Sequence, residues 1–463
     1  MTFAPAAARP GAAYKHYLLV VLLIILAFNF VDRLALGLVL QTIKTDLRLS
    51  DTELGFLSGI AFALFYSAMG IPIARWADRG DRVKIISLTA VLWSIAVALC
   101  GLAATFVQLL AIRVAVAVGE AGCIPPANSL IADSFTRPER PRAAGVYMLG
   151  GPLSVVVGYY LAGWLNQLYG WRTMFMLLGL PGIGLSLLAW FTLREPRRAA
   201  APITAARSST APETTASSST SLSSTSLTEV VSTLWSNVTF RHLLFCFSLV
   251  SFFGYGILQW QPAFFIRSYG LKTGELGTWF AIIYGLGGML GTWLGGEFAS
   301  RRAANNEQLQ LKAIAFAYAG FGAVSAFIYL SSNRYWAFGL MGLTALGGAT
   351  ANGPLYATIQ TLVPERMRAV SIALIYLFAN LIGMGLGPLA AGALSDALRP
   401  LVGEESLRYA LLLLCPGYFW GAWHVWHASK TVTRDVETAQ LPRNPDVRHE
   451  RVAPHVSPNP SGA

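Results

Sequence analysis

Between Tyr17 and Leu40 the chain is apolar except for Asn29, Asp32 and Arg33. A helix of about 20 predominantly apolar residues crosses the hydrocarbon layer of a bilayer, and runs of this kind recur along the whole sequence. They fall at 17–41, 53–75, 85–105, 108–134, 143–166, 173–193, 242–266, 274–299, 313–331, 335–361, 369–395 and 406–428. Of the 463 residues, 54% are hydrophobic and 12% charged, against roughly 25% charged in an average soluble domain. No soluble core absorbs so much apolar sequence. The expectation is an all-α integral membrane protein with twelve transmembrane helices.

The net charge of +11 is no argument for nucleic acid once the positions of the basic residues are considered. With both termini cytoplasmic, most of the 34 Lys and Arg fall on the inner loops, as the positive-inside rule requires; Arg33 and Arg113 lie within spans. The chain is therefore expected in the inner cell membrane, multi-pass. The first apolar run lacks a short hydrophobic core with a small-residue cleavage site, so it is read as retained.

Cys100, Cys123, Cys246 and Cys415 sit singly in apolar stretches, as small buried hydrophobes rather than a disulfide or metal framework. His424 and His427 have no cysteine or carboxylate at matching spacing, so no metal is expected. No GxSxG, HExxH or Walker loop is present, and the chain does not read as an enzyme. Asn237-Val-Thr fits a glycosylation acceptor but falls on the cytoplasmic side.

From Ala199 to Thr228 the sequence is dominated by Ser, Thr, Ala and Pro, too polar to offset its ordering entropy. This divides the chain into an N-terminal cytoplasmic segment (1–16), a first six-helix bundle (17–193), a largely disordered cytoplasmic linker (194–241), a second bundle (242–428) and a disordered tail (429–463). The bundles repeat each other. Pro138-Glu139-Arg140-Pro141-Arg142-Ala143 returns as Pro364-Glu365-Arg366-Met367-Arg368-Ala369, and Glu53-Leu54-Gly55 as Glu275-Leu276-Gly277. A parallel duplication of six-helix units is the plan of a transporter whose halves rock about a midplane site.

The loop Ala74-Arg75-Trp76-Ala77-Asp78-Arg79-Gly80-Asp81-Arg82 resembles the G-x-x-x-D-R-x-G-R signature of the major facilitator superfamily. Asp78, Arg79 and Arg82 match it, whereas Ala74 and Asp81 replace its glycines. The resemblance implies a cytoplasmic gate at Asp78, Arg79 and Arg82; a positive-inside loop is the alternative. Asn29 through Leu36 and Arg113 through Ala121 are similar to the Spinster family of lipid and sphingolipid transporters and their bacterial relatives. In that fold the first and fourth helices of each half line a central cavity.

The charges inside these spans carry an argument of their own. An ionisable residue at mid-membrane costs roughly 2.5–3.5 kcal/mol, so four without compensation would cost on the order of 10 kcal/mol. They must pair or face water. Arg113 and Glu120 lie two helical turns apart on one face. Asp32 and Arg33 point about 100° apart, so their partners are expected on another helix. Carried over from the resembling fold, Asp32 and Glu120 take up protons while Arg33 and Arg113 alternate between those carboxylates and an anionic substrate. Structural salt bridges are the alternative.

The second half lacks this charge set: Gly339 and Leu346 occupy the positions equivalent to Arg113 and Glu120. It offers Tyr255, Gln259, Tyr356, Tyr376 and Asn380, expected with Asn29 to line the cavity. The reading is a monomeric, proton-coupled secondary transporter working by alternating access. The proton gradient is its energy source and no cofactor is expected. By resemblance its substrate is an amphipathic lipid or lysolipid; symport of small organic anions such as sugar acids, or a non-transporting receptor or lipid-binding scaffold, are the alternatives.

Overall fold

The structure, a computed structural model, describes residues 11–197, 227–304, 306–363 and 367–440. Most of the expected linker and the ends of both termini lie outside the described residues. Every element among them is helical.

Helix α1 (Ala12–Leu47) ends at Arg48, whose left-handed φ of 54° turns the chain. Helix α2 (Asp51–Arg79) opens on a capping box in which Ser50 and Glu53 satisfy each other's amides. Asp81 caps α3 (Arg82–Cys100) by accepting from the Lys84 amide, and α4 (Phe106–Ser134) follows. The helical stretch Arg140–Thr192 has 53 residues, about 80 Å if straight and far more than one crossing needs. It folds at Gly170, whose φ of 79° is costly for any residue with a Cβ. The two arms are α5 (140–169) and α6 (171–192). Gly150 packs on Leu26 and the Asn166 amide reaches Thr42, so α5 runs alongside α1. Trp171 then bonds to Asp46 and Thr192 meets Tyr17, so α6 runs back.

In the second half a short helix, Leu227–Ser236, precedes α7 (Val238–Tyr269). Helix α8 (273–301) contains a π turn, Ala281–Leu286, and α9 is Glu307–Leu330. Helix α10 (334–362) precedes α11 (368–402), which holds a second π turn, Ala379–Leu386, and α12 (406–440) closes the chain. Among the described residues eight stretches are long and apolar enough to cross a bilayer. Arg140–Thr192 and Val370–Thr438 each contain two rods, and α8 and α10 add two more, in line with twelve crossings. The helix ends differ from expectation in two places. Helix α12 continues to Gln440, past the expected start of the tail, because the Asp435 carboxylate takes the Thr239 amide at 2.9 Å and its hydroxyl at 2.8 Å. Leu227–Ser236, inside the expected linker, is helical and buries Leu234 in the second half's core. Polar sequence is ordered here by tertiary contacts that local composition does not reveal.

The halves are pinned together at the face opposite the termini. A Cβ on Gly55 of α2 would lie 2.5 Å from the Pro388 carbonyl of α11, and one on Gly277 of α8 would lie 2.3 Å from the Tyr159 carbonyl of α5. The repeated Glu-Leu-Gly therefore marks two pseudo-symmetric contacts at which backbones touch. Polar groups reinforce them. Asp51 accepts from both terminal nitrogens of Arg267 (2.7 and 2.6 Å), from Lys44 (2.6 Å) and from Ser395 (2.7 Å). Asp396 receives the Asp51 and Thr52 amides at 3.1 and 2.7 Å, capping α2 from the other half where its first amides have no intrahelical partner. Toward the termini, among the described residues, the pairs Lys15–Glu139, Arg82–Asp133 and Arg434–Asp435 each stay within a half.

Substituting Gly277→Val is expected to force α5 and α8 apart, at a cost of about 1–3 kcal/mol, and to lower the melting temperature of the purified protein. An unchanged melting temperature would show that the halves are not pinned there.

Candidate functional site

Asp32 and Arg33, adjacent on α1, each find a partner of opposite charge on α4. Arg113 Nη1 donates to Asp32 Oδ2 at 2.6 Å, and Arg33 donates from Nε to Glu120 Oε2 at 2.7 Å, its Nη2 lying 2.5 Å from the same oxygen as an ion pair. Two acids and two guanidiniums thus cancel within one half. Asp32, Arg113 and Glu120 are buried to 2% exposure or less, whereas the Arg33 side chain keeps 17%. The roughly 100° between consecutive residues sends the α1 pair to different places. The two-turn spacing on α4 puts a receptor at each.

The pairing leaves polar atoms unspent. Asp32 Oδ1, Glu120 Oε1, Arg113 Nε and Arg33 Nη2 are buried with no hydrogen-bond partner. The guanidiniums are held by rings: Arg33 lies 4.9 Å from the Phe30 centroid, 4.5 Å from Phe62 and 4.7 Å from Tyr66, and Arg113 lies 5.2 Å from Phe62. Cation–π contacts of this kind gain strength when desolvated. Phe30, Phe62 and Tyr66 were not singled out in the sequence, because aromatic residues at helical spacing are ordinary in any span.

Helix α4 loosens where Glu120 sits: its first segment ends at Glu120 and the next begins at Ile124, ahead of two prolines. Asn29 donates to the Glu120 carbonyl at 3.4 Å. Expected on the cavity wall, Asn29 is fully buried and is absent from the lining of both cavities described next; it braces the Glu120 peptide from behind.

A cavity of about 310 Å³ lies between the halves, lined by Arg33, Arg113 and Phe62 from the first and Tyr255, Gln259 and Met384 from the second. Asp32 and Glu120 do not line it. The guanidiniums form the wall and the carboxylates stand behind them. Tyr255 is shared with a larger cavity of about 630 Å³ inside the second half, lined also by Gln261, Tyr284, Tyr356, Tyr376 and Asn380. No charged side chain lines it among the described residues. The π turns carry Tyr284 and Asn380 into its wall, a common use of such turns. Gln261 donates to Tyr329 at 3.1 Å and accepts from the Tyr284 hydroxyl, and the rings of Tyr356 and Tyr376 stack at 5.5 Å. Four of the expected lining residues, Tyr255, Tyr356, Tyr376 and Asn380, meet in this cavity, with Gln259 in the smaller one. Tyr284 and Tyr318 also line the larger cavity, and nothing in a single sequence distinguishes their inward faces.

The signature loop works within its own half. Arg82 is fully buried, pairs with Glu195 through two nitrogens, and reaches Asp133 at 2.6 Å and the Ser129 carbonyl at 2.9 Å. Arg197 donates to the Asp78 carbonyl at 2.8 Å, while the Asp78 and Arg79 side chains are exposed. In this conformation Arg82 staples α3, α4 and the segment after α6. The expected gate between halves is not formed at Asp78 or Arg79. Burial by itself would raise the Glu195 carboxyl, but Arg82 and the Arg197 and Arg82 amides outweigh it and hold it below the usual carboxylate range. All four cysteines are free and buried.

Asp32→Ala leaves Arg113 charged, buried and unpaired, so a loss of about 3–5 kcal/mol in stability is expected. A melting temperature equal to the parent's would mean that water already solvates Arg113. At Glu195 the depressed folded value contributes stability that is complete above about pH 4.3, the free Glu value, and is lost as pH falls through the lower folded value. The melting-temperature advantage over Glu195→Gln should therefore shrink on acidification; a constant advantage would count against the Arg82–Glu195 pairing.

Residues 22–426 match the model of the Major Facilitator Superfamily. The chain is 30% identical over 417 residues to an MFS-type efflux pump of Mycolicibacterium smegmatis, covering 90% of this chain and 93% of that one. It is 26% identical over 392 residues to a probable L-galactonate transporter of Escherichia coli, covering 83% of each. A crystal structure of a bacterial homolog of the human lysosomal transporter Spinster, inward-facing and unoccupied, superposes with a TM-score of 0.77 at 29% identity over 92% of this chain and 99% of that one. The duplicated bundles, the buried charge set and the interhalf cavity are those of a transporter rather than an enzyme, and the chain belongs to the Major Facilitator Superfamily.

Proposed function

We propose that this protein carries a small amphipathic anion or zwitterion across the inner membrane by proton-coupled alternating access, as a monomer with both termini in the cytoplasm. The observation that carries this reading is the layering of charge: Arg33 and Arg113 form the cavity wall, and Asp32 and Glu120 stand behind them with one oxygen each unpartnered. An anionic group entering the cavity meets the guanidiniums first and draws them forward. The carboxylates lose their counter-charges. Without a guanidinium, a carboxylate in a dry site binds a proton more readily, so substrate and proton enter the same cycle. The available driving force, about 2.3 kcal/mol per charge per 100 mV plus about 1.4 kcal/mol per pH unit, is sufficient to concentrate a solute.

With the halves pinned at the face opposite the termini, the conformation is inward-facing under this topology. The uncharged cavity of about 630 Å³ beside the guanidiniums suits the apolar body of a lipid-like substrate. Its tyrosine hydroxyls and amides also favour a second reading, a hydroxylated organic acid, and similarity to a probable L-galactonate transporter supports that class. Asp78, Arg79 and Arg82 are proposed to gate the cytoplasmic side when the halves close there.

In sealed proteoliposomes, parent protein is expected to take up or release a lysophospholipid or a sugar acid in response to an imposed pH gradient. Asp32→Asn and Glu120→Gln should each reduce that response by ten-fold or more while leaving downhill exchange measurable. Gradient-driven flux at parental level in both variants would end the coupling proposal, and binding without flux would favour a receptor.

A further inference from the structure

Three imidazoles meet where α7 packs on α12, away from the cavities. His242 faces His424 with Nδ1 atoms 3.0 Å apart, and His427 stacks on His242 with ring centroids 5.7 Å apart. His427 Nδ1 donates to the Trp423 carbonyl at 2.9 Å. The Trp423 ring touches all three, with centroids at 5.9, 4.8 and 4.1 Å from His242, His424 and His427. Among the described residues no group of three such side chains has the arrangement to hold a metal ion, and none of the three Nε2 atoms is taken up by a hydrogen bond.

Among the described side chains no carboxylate forms an ion pair with the cluster. The charges acting on His242 are those of His427 and Arg241, and on His424 those of His242 and His427. Asp435, farther along α12, is engaged by Thr239 and Arg434. Packed against α12 from the other side, α9 offers the Phe316 ring to Trp426 and brings no charge to the imidazoles. Trp423 is exposed, and the exposed Trp235 meets the Phe245 ring, whose centroid lies 5.4 Å from that of His424. Exposed tryptophans of this kind mark the headgroup level of a bilayer, which is also the depth of the lipid phosphates.

We infer that His242, His424, His427 and Arg241 form a binding site for the phosphate headgroup of an anionic phospholipid, seated between Trp235 and Trp423. One proton lies between the Nδ1 atoms of His242 and His424 and another is spent by His427 on the Trp423 carbonyl, so two further protons place an N–H on all three Nε2 atoms, and a phosphate that accepts from them neutralises the added charge. Binding therefore tightens as the pH is lowered. Bound lipid ties α12 to α7, the helix that brings Tyr255, Gln259 and Gln261 to the cavities.

Native mass spectrometry of the full chain with phosphatidylglycerol, with phosphatidylcholine of the same acyl chains and with inorganic phosphate, either side of pH 6.5, tests this. Phosphatidylglycerol should be retained several-fold over phosphatidylcholine at the lower pH, and the preference should vanish in a His424→Gln, His427→Gln double variant. Equal retention of the two lipids, retention of the preference in the variant, or its removal by millimolar inorganic phosphate alone would overturn the lipid site. Nitrogen-15 imidazole titration of the parent in nanodiscs gives a readout independent of any variant's folding: phosphatidylglycerol should displace the histidine midpoints, and unmoved midpoints would equally overturn it.

Discussion

Charge in a low-dielectric interior must be cancelled nearby, and the first half of this protein is organised by that requirement. Asp32 with Arg113 and Arg33 with Glu120 form two ion pairs that cross from α1 to α4. Each helix supplies one acid and one guanidinium that do not pair with each other, so the energy of the arrangement depends on how the two helices sit against each other. A buried pair of this kind adds little net stability over an apolar replacement, yet breaking it is costly. Such groups resist removal and tolerate exchange of partners, which is what a carrier site requires.

The asymmetry between the halves follows from the same cost. With all four intramembrane charges in the first half, the second can present an uncharged wall of tyrosines and amides, using two π turns to bring Tyr284 and Asn380 to its surface. What joins the halves is short-range. Backbone contacts at Gly55 and Gly277, and the Asp51–Arg267 pair beside them, lie together at one face, where small relative rotations cost little geometry. The ion pairs deeper in the first half take no part in these contacts.

Much of this was legible in the chain. The apolar runs, the repeated motifs and the placement of Lys and Arg give the helices and the duplication, because burial in lipid is a local property of about 20 consecutive residues. The intramembrane charges stood out for the same reason, and the 100° between Asp32 and Arg33 already required partners on another helix. Asn29 illustrates the limit: its polarity suggested a cavity wall, but only the loosened turn after Glu120 explains why an amide is needed behind it. Arg82 illustrates another. The signature motif pointed to Arg82 but not to its partner in this conformation, Glu195, which is remote in sequence.

The sequence by itself determined the class of solvent the chain must face, the number of times it is expected to cross, and the four side chains that cannot be left unpaired in lipid. Tertiary structure alone decided which acid meets which guanidinium, that the guanidiniums line the cavity while the carboxylates stand behind, and where the backbones of the halves touch. The reason is one of range. Transfer from water is settled residue by residue along the helix, whereas pairing and cavity shape depend on atoms within a few ångströms that come from helices far apart in the chain.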